Sequence, residues 1–421
     1  MRIYIITYLL IVSVYGVNAQ QFRRINVEGN KYKVTFMVAL EDSSKVTSVT
    51  QIAGSGVEFI FKYYNERPSF HTYSKQYIAD SIAYILEYGE DDTSQLLSLD
   101  KLADAHIYTE VPTSPDSSIV VLELMLADTI AFTQNIANMK SAQSLFIATD
   151  DGSIPYSIGE LKNLQILIIA EHSSTQIPAS IGKLTHLKTL SIGSGTAQNL
   201  PASIGNLSKL EELNINENIS LNNLPPEIGN MIGLQMVDLS NNGLTEIPST
   251  IFNWTSVKIL VLAGNQLTTI PPQIGNLTNL EALYLDDNMI NVLPKELGNL
   301  KKLKILSASN NKLKEIPVEI CENVNLVKLF LNDNKLIGIP DKLSTMKSLT
   351  HLYLQDNGIS IVPKDLSYLP LLEELYLSNN KIKELPIELA SLKALKTITL
   401  GGNIILKMPA FPKTVDIITN L

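Results

Sequence analysis

Between Leu372 and Ala394 the apolar positions follow one short pattern. They fall at Leu372, Leu375, Leu377, Ile382, Leu385, Ile387, Leu389 and Leu392, with Asn380 behind the first three and Pro386 behind Leu385. The same text recurs 23 residues earlier from Leu349, and again from Leu326, Leu303 and Leu280, and from Val257 with Val in the first place. Carried back to the start of the pattern, the first positions are Ile119, Ala142, Leu164, Leu187, Leu210, Leu234, Val257, Leu280, Leu303, Leu326, Leu349, Leu372 and Leu395. That makes thirteen units. The Ala142 unit is one residue short and the Leu210 unit one residue long. The end units depart from the pattern, as capping units do.

Each part of the unit predicts a piece of structure. The opening L-x-x-L-x-L predicts a short strand whose Leu residues point inward and whose third, fifth, seventh and eighth residues face out. Stacked units then build one parallel sheet. Asn218, Asn242, Asn265, Asn288, Asn311, Asn334, Asn357, Asn380 and Asn403 share the ninth position, where an amide pairs the backbone of a buried turn. Asp150, His172 and Gly195 stand in that column in the earlier units. The I/L-P-x-x-I/L-G-x-L segment that follows predicts a Pro-set bend and a Gly-permitted return, crossing the back in short 3₁₀ or helical turns. The expected fold class is an α/β solenoid, with the curved parallel sheet on its concave face and short turns on its convex face.

The L-x-x-L-x-L-x-x-N and I-P-x-x-I-G-N-L wording is identified as that of leucine-rich-repeat proteins of the 23-residue IPxxIGxL type. It resembles the repeats of plant Ras-group and disease-resistance proteins and of an animal Ras-pathway scaffold. The resemblance covers residues 119–421 and implies a fold that binds other polypeptides.

Residues ahead of the repeats read differently. Met1–Ala19 has a basic residue, an apolar run and Val17-Asn18-Ala19 before Gln20, which predicts a cleaved export signal at 1–19 and no stable membrane span afterwards. Strand-like runs at 31–40 and 56–64 and helical spacing between Tyr73 and Tyr88 predict a small α+β domain over 20–116, with the solenoid occupying 117–421. Export places the protein in the periplasm, on the cell surface or in the medium. The single cysteine, Cys321, rules out an intramolecular disulfide. Extracellular animal leucine-rich repeats resemble one another in Cys-rich caps, which this sequence lacks, so the resemblance implies a bacterial rather than an animal exported protein.

The chain is 18% charged with a formal net charge of −9, and its four Arg all precede the repeats. Neither feature suits nucleic acid. On the outward positions of the repeats there are ten acids, Glu123, Glu171, Glu212, Glu217, Asp238, Asp286, Asp287, Asp333, Asp356 and Glu374, against one base, Lys328. Tyr284, Phe330, Tyr353 and Tyr376 share the fifth-position column, and His351 lies beside them. An acidic face with stacked aromatics suits a basic polypeptide. Aromatic platforms also take sugar rings, so a glycan is the second candidate ligand.

Catalysis has little to build on. Cys321 fills a turn position that is usually Gly, and no hydrolase, zinc-protease or phosphate-loop motif occurs. No cofactor or metal is implied. Two alternatives stay open at this level: activity housed in residues 20–116 with the repeats for targeting, and a structural or adhesive surface protein that binds glycan.

Overall fold

A computed structural model gives the architecture. The structure describes strands at 22–29, 32–39, 49–51, 59–61, 107–108 and 121–126, and then residues 129–149, 153–170 and 174–419. Its side chains are described over 132–147, 153–169 and 174–419.

The contacts divide the chain between Ala105 and His106. In the first part, β1 (Phe22–Gly29) and β2 (Tyr32–Ala39) form an antiparallel pair, and β3 (Val49–Gln51) and β4 (Phe59–Phe61) form another. Strands β2 and β4 fall within the two runs that the β-branched and aromatic residues predict. The helical spacing at 73–88 and the export signal at 1–19 lie outside the described residues.

The second part holds a 15-stranded sheet in which every strand pairs with its neighbours in sequence. It begins at β5 (Ile107–Tyr108) and ends at β19 (Asp416–Ile418). Between them, β6 (Val121–Leu126) through β18 (Thr397–Thr399) are the strands of the thirteen units, one each and all parallel. Most unit strands pair 23 residues apart, as Lys328 does with His351 and His351 with Glu374. The only α-helix among the described residues, α1 (Thr129–Asn135), lies in the first unit.

Packing explains why the unit repeats. In the Leu280 unit, Leu280, Leu283, Leu285, Ile290, Leu297 and Leu300 are wholly buried. One such side chain contributes about 1.5–3 kcal/mol on burial. A lone unit has nothing to bury it against, so stability comes from stacking.

Eleven Pro residues, from Pro155 to Pro386, each precede a five-residue 3₁₀ turn. The ring sets φ where the chain leaves extended geometry, and the Pro carbonyl accepts the first turn bond, as from Ile181 N–H to Pro178 at 3.0 Å. The Gly of each Ile-Gly pair has a different reason from the return turn that the sequence suggests, since none of these glycines has positive φ. A Cβ on Gly205 would lie 2.2 Å from the Glu227 carbonyl oxygen in the next turn. Gly is selected there by the close approach of neighbouring units.

The ninth-position amides clip each unit to the one before. Asn311 Nδ2 donates to the carbonyl of Leu285 at 2.9 Å and to those of Ala308 and Ser309, while its Oδ1 accepts the Ile290 N–H at 2.9 Å. Asn265, Asn288, Asn334, Asn357 and Asn380 make the same set. Asn403 donates backward and accepts from the Ile382 N–H in the same way, whereas Asn242 also donates backward but accepts from the N–H of Asn218 itself at 2.9 Å. Asn218 donates to Ile192 and Asn216, and its Oδ1 is buried without a hydrogen-bond partner. It is the first Asn of the column.

Candidate functional site

Strands β15 (Lys328–Phe330), β16 (His351–Tyr353) and β17 (Glu374–Tyr376) each present their first and third residues on the outer face of the sheet. The third residues align as Phe330, Tyr353 and Tyr376. Parallel strands lie about 4.8 Å apart, and equivalent rings inherit that spacing. Phe330 and Tyr353 have centroids 4.6 Å apart with planes at 30°, and Tyr353 and Tyr376 are 4.4 Å apart at 10°. All three rings are half-buried rather than covered. The central Leu of each strand is wholly buried beneath them.

Polar groups run alongside the stack. Tyr353 Oη donates to Glu374 Oε2 at 2.6 Å, and Glu374 Oε1 lies 3.8 Å from His351 Nε2. The other ring nitrogen of His351 is 2.6 Å from the Thr350 hydroxyl, and the imidazole lies parallel to Tyr353, 6.3 Å away and 4° from coplanar. Burial raises the Tyr376 phenol above its ordinary value, and the negative charge of Glu374 adds to the rise. Lys328 lies across from His351 in the register and is partly exposed. The structure thus brings Lys328, Phe330, His351, Tyr353, Glu374 and Tyr376 into one patch.

Tyr284 stands apart from that patch. It has the same unit position but is 3% exposed. Its fifth-position neighbours Val261 and Ser307 are buried as well, and so are Ala282 and Ile305 in the third-position column. The face over these units is a closed floor, so Tyr284 is a packing residue of that floor.

The acids fall into two groups. Glu217, Asp287, Asp333 and Asp356 occupy the eighth position at φ 53–57°, in the same column as Asn241, Asn310 and Asn379, and as Gly264 and Gly402 at φ 68° and 72°. Asn, Asp and Gly enter the left-handed region more readily than other residues. The column's Asp residues therefore have a backbone reason that the count of acids on the face does not reveal. Two of the carboxylates accept from the following unit, Asp287 from Asn310 at 2.6 Å and Asp356 from Asn379 at 2.8 Å, and Asp333 accepts from its own chain neighbour Asn332 at 2.8 Å. These three Asn residues belong to the same face. Their place in the repeat register was the signal that marks them, and a search for charge passes over it.

In the second group, Glu212, Asp238 and Asp286 have carboxyls pushed up by burial. Asp286 is raised to about 6 even though it accepts from the Ser307 hydroxyl and, at 2.8 Å, from the Ser309 N–H. Its second oxygen is buried without a hydrogen-bond partner. Burial also raises Asp333, with the charges of Asp356 and Asp287 acting in the same direction. Side chains of Glu123 and Glu171 lie outside the described residues.

Cys321 is buried in a 3₁₀ turn, and desolvation pushes its thiol up to about 11, far from a reactive thiolate. Among the described residues no group of three or more His, Cys, Asp or Glu is placed to hold a metal ion, and no helix is long and apolar enough to cross a membrane.

A stacked-unit solenoid with an open aromatic patch on its sheet defines a repeat-built interaction module. The family comparison agrees: a leucine-rich repeat region model matches residues 133–222, and a leucine rich repeat model matches 232–290, 301–359, 324–382 and 347–405. The chain belongs to the leucine-rich-repeat proteins. A leucine-rich-repeat protein of Leptospira interrogans is similar in structure at a TM-score of 0.68, with 29% identity over 77% of this chain and 86% of that one. The PEPR1–AtPEP1 complex is similar at 0.53, with 27% identity over 68% of this chain and 46% of that one. An internalin of Listeria monocytogenes shares the fold at 0.51, with 22% identity over 66% and 86% of the two chains. A search of curated proteins returns no match.

Proposed function

We propose that this chain is an exported interaction protein that binds a polypeptide, through a basic side chain, on the concave sheet face at β15–β17. The observation that carries the reading is the stack of Phe330, Tyr353 and Tyr376, three rings left half-exposed above a leucine layer that is already complete. Rings that the core does not need are contact residues. Asp333, Asp356 and Glu374 lie along the same face and favour a cationic partner group. The export signal read at 1–19 is the reason for seeking that ligand outside the cytoplasm.

The test uses the full mature chain as bait against surface and secreted proteins of its source and neighbours, beside a Tyr353→Ala/Tyr376→Ala double variant. A partner held by the native chain, lost from the variant and weakened by added salt supports the reading. Equal recovery by both baits, or binding indifferent to salt, overturns it. Mass spectrometry of the mature N-terminus checks export, with Gln20 the expected first residue.

A further inference from the structure

We propose that a cleft beside the sheet, opened by the extra residue of the Leu210 unit, is a binding site for a neutral saccharide. Most units step from the ladder Asn to the next buried Leu or Ile through one residue, as in Asn242-Gly243-Leu244, but this unit steps through two, Ile219 and Ser220. Asn218 and Leu221 both stay buried, so the surplus is expelled and Ile219 stands 77% exposed. An open groove of about 540 Å³ lies beside it.

The chemistry of the lining selects the ligand. Gln198, Asn199, Ser220, Asn222, Thr245 and Gln266 line the groove, and all six are exposed. They come from four successive units, on loops between the strands and the 3₁₀ turns. No lining residue is ionisable, although the chain is 18% charged. A charged ligand would find no counter-charge there. Amides and hydroxyls both donate and accept, as sugar hydroxyls do. Ile219, the one large apolar side chain of the lining, gives a sugar's C–H face a surface to rest on.

The site is tested on the full chain by calorimetry and saturation-transfer NMR, with cellotetraose and chitotetraose as probes and a Gly/Asn tetrapeptide as control. We expect saturable binding of at least one sugar with a Kd of about a millimolar or tighter. Asn222→Ala/Gln266→Ala should weaken it by at least about tenfold, while Tyr353→Ala/Tyr376→Ala leaves it unchanged. All four positions are exposed or half-exposed, so the variants should remain folded. Silence from both sugars overturns the proposal. So does sugar binding that the Asn222/Gln266 variant leaves intact, or binding of the tetrapeptide alone.

Discussion

The phenolic oxygen of Tyr353 donates a 2.6 Å hydrogen bond to Glu374 across the β16–β17 boundary. The ring of Tyr353 therefore cannot turn without giving up a charge-assisted bond, and its two stacking neighbours hold it from either side. The patch is organised before any partner arrives, which lowers the ordering cost of binding.

Replacing Tyr353 and Tyr376 together with Ala should cost about 2 kcal/mol or more in binding. Stacked aromatic pairs contribute about 0.5–1.5 kcal/mol each, so the fold should survive with a modest loss of stability. Calorimetric titration and urea unfolding of the same variant separate the two effects. Loss of the folded state instead would make the stack structural.

Asp286 should make stability depend on pH. Its folded pKa of about 6 lies above the ordinary value of 3.8, so the folded state holds the proton more tightly than the unfolded chain. The stability this group contributes is fully present below pH 4 and is lost as pH rises through 6. Asp286→Asn should therefore stabilise the protein at pH 7 by on the order of 2 kcal/mol and give no gain at pH 4. Thermal melts at the two pH values check the sign. An equal gain at both would show that ionisation is not the cause.

Asn311→Ala should strand the Ile290 N–H and remove the donor to Leu285, Ala308 and Ser309. An unsatisfied buried polar group costs about 1–3 kcal/mol, and water has little access here because Asn311 is buried. Urea unfolding should show a loss of at least that size. The exposed Asn222→Ala variant is the contrast and should change stability by less than about 0.5 kcal/mol.

Asp333 separates backbone demand from charge. At φ 53°, Gly is free of strain and a β-branched residue is not. Asp333→Gly should leave stability within about 1 kcal/mol, whereas Asp333→Val should cost on the order of 1–3 kcal/mol. Chemical unfolding of the pair decides the matter. Equal losses from both variants would show that the carboxylate, not the dihedral, holds the position.

Much of the solenoid was legible because its contacts are local ones repeated. Every strand meets its neighbour about one unit away, so the Leu spacing carries both the strand and its register, as at Leu329, Leu352 and Leu375. Asn311 could be placed in advance because a turn that recurs in register needs the same amide each time. Only the tertiary structure decided what the outward positions do. Tyr284 and Tyr353 are equivalent in the unit, yet one is covered and the other half-open, because exposure depends on the side chains that adjoining units place beside each ring. Gly205 and Asp333 recur in the text for reasons of backbone approach and dihedral sign, and neither quantity is written in hydrophobic order. Period and register follow from the sequence by itself. Accessibility, and with it the site, is a property of how the units stack.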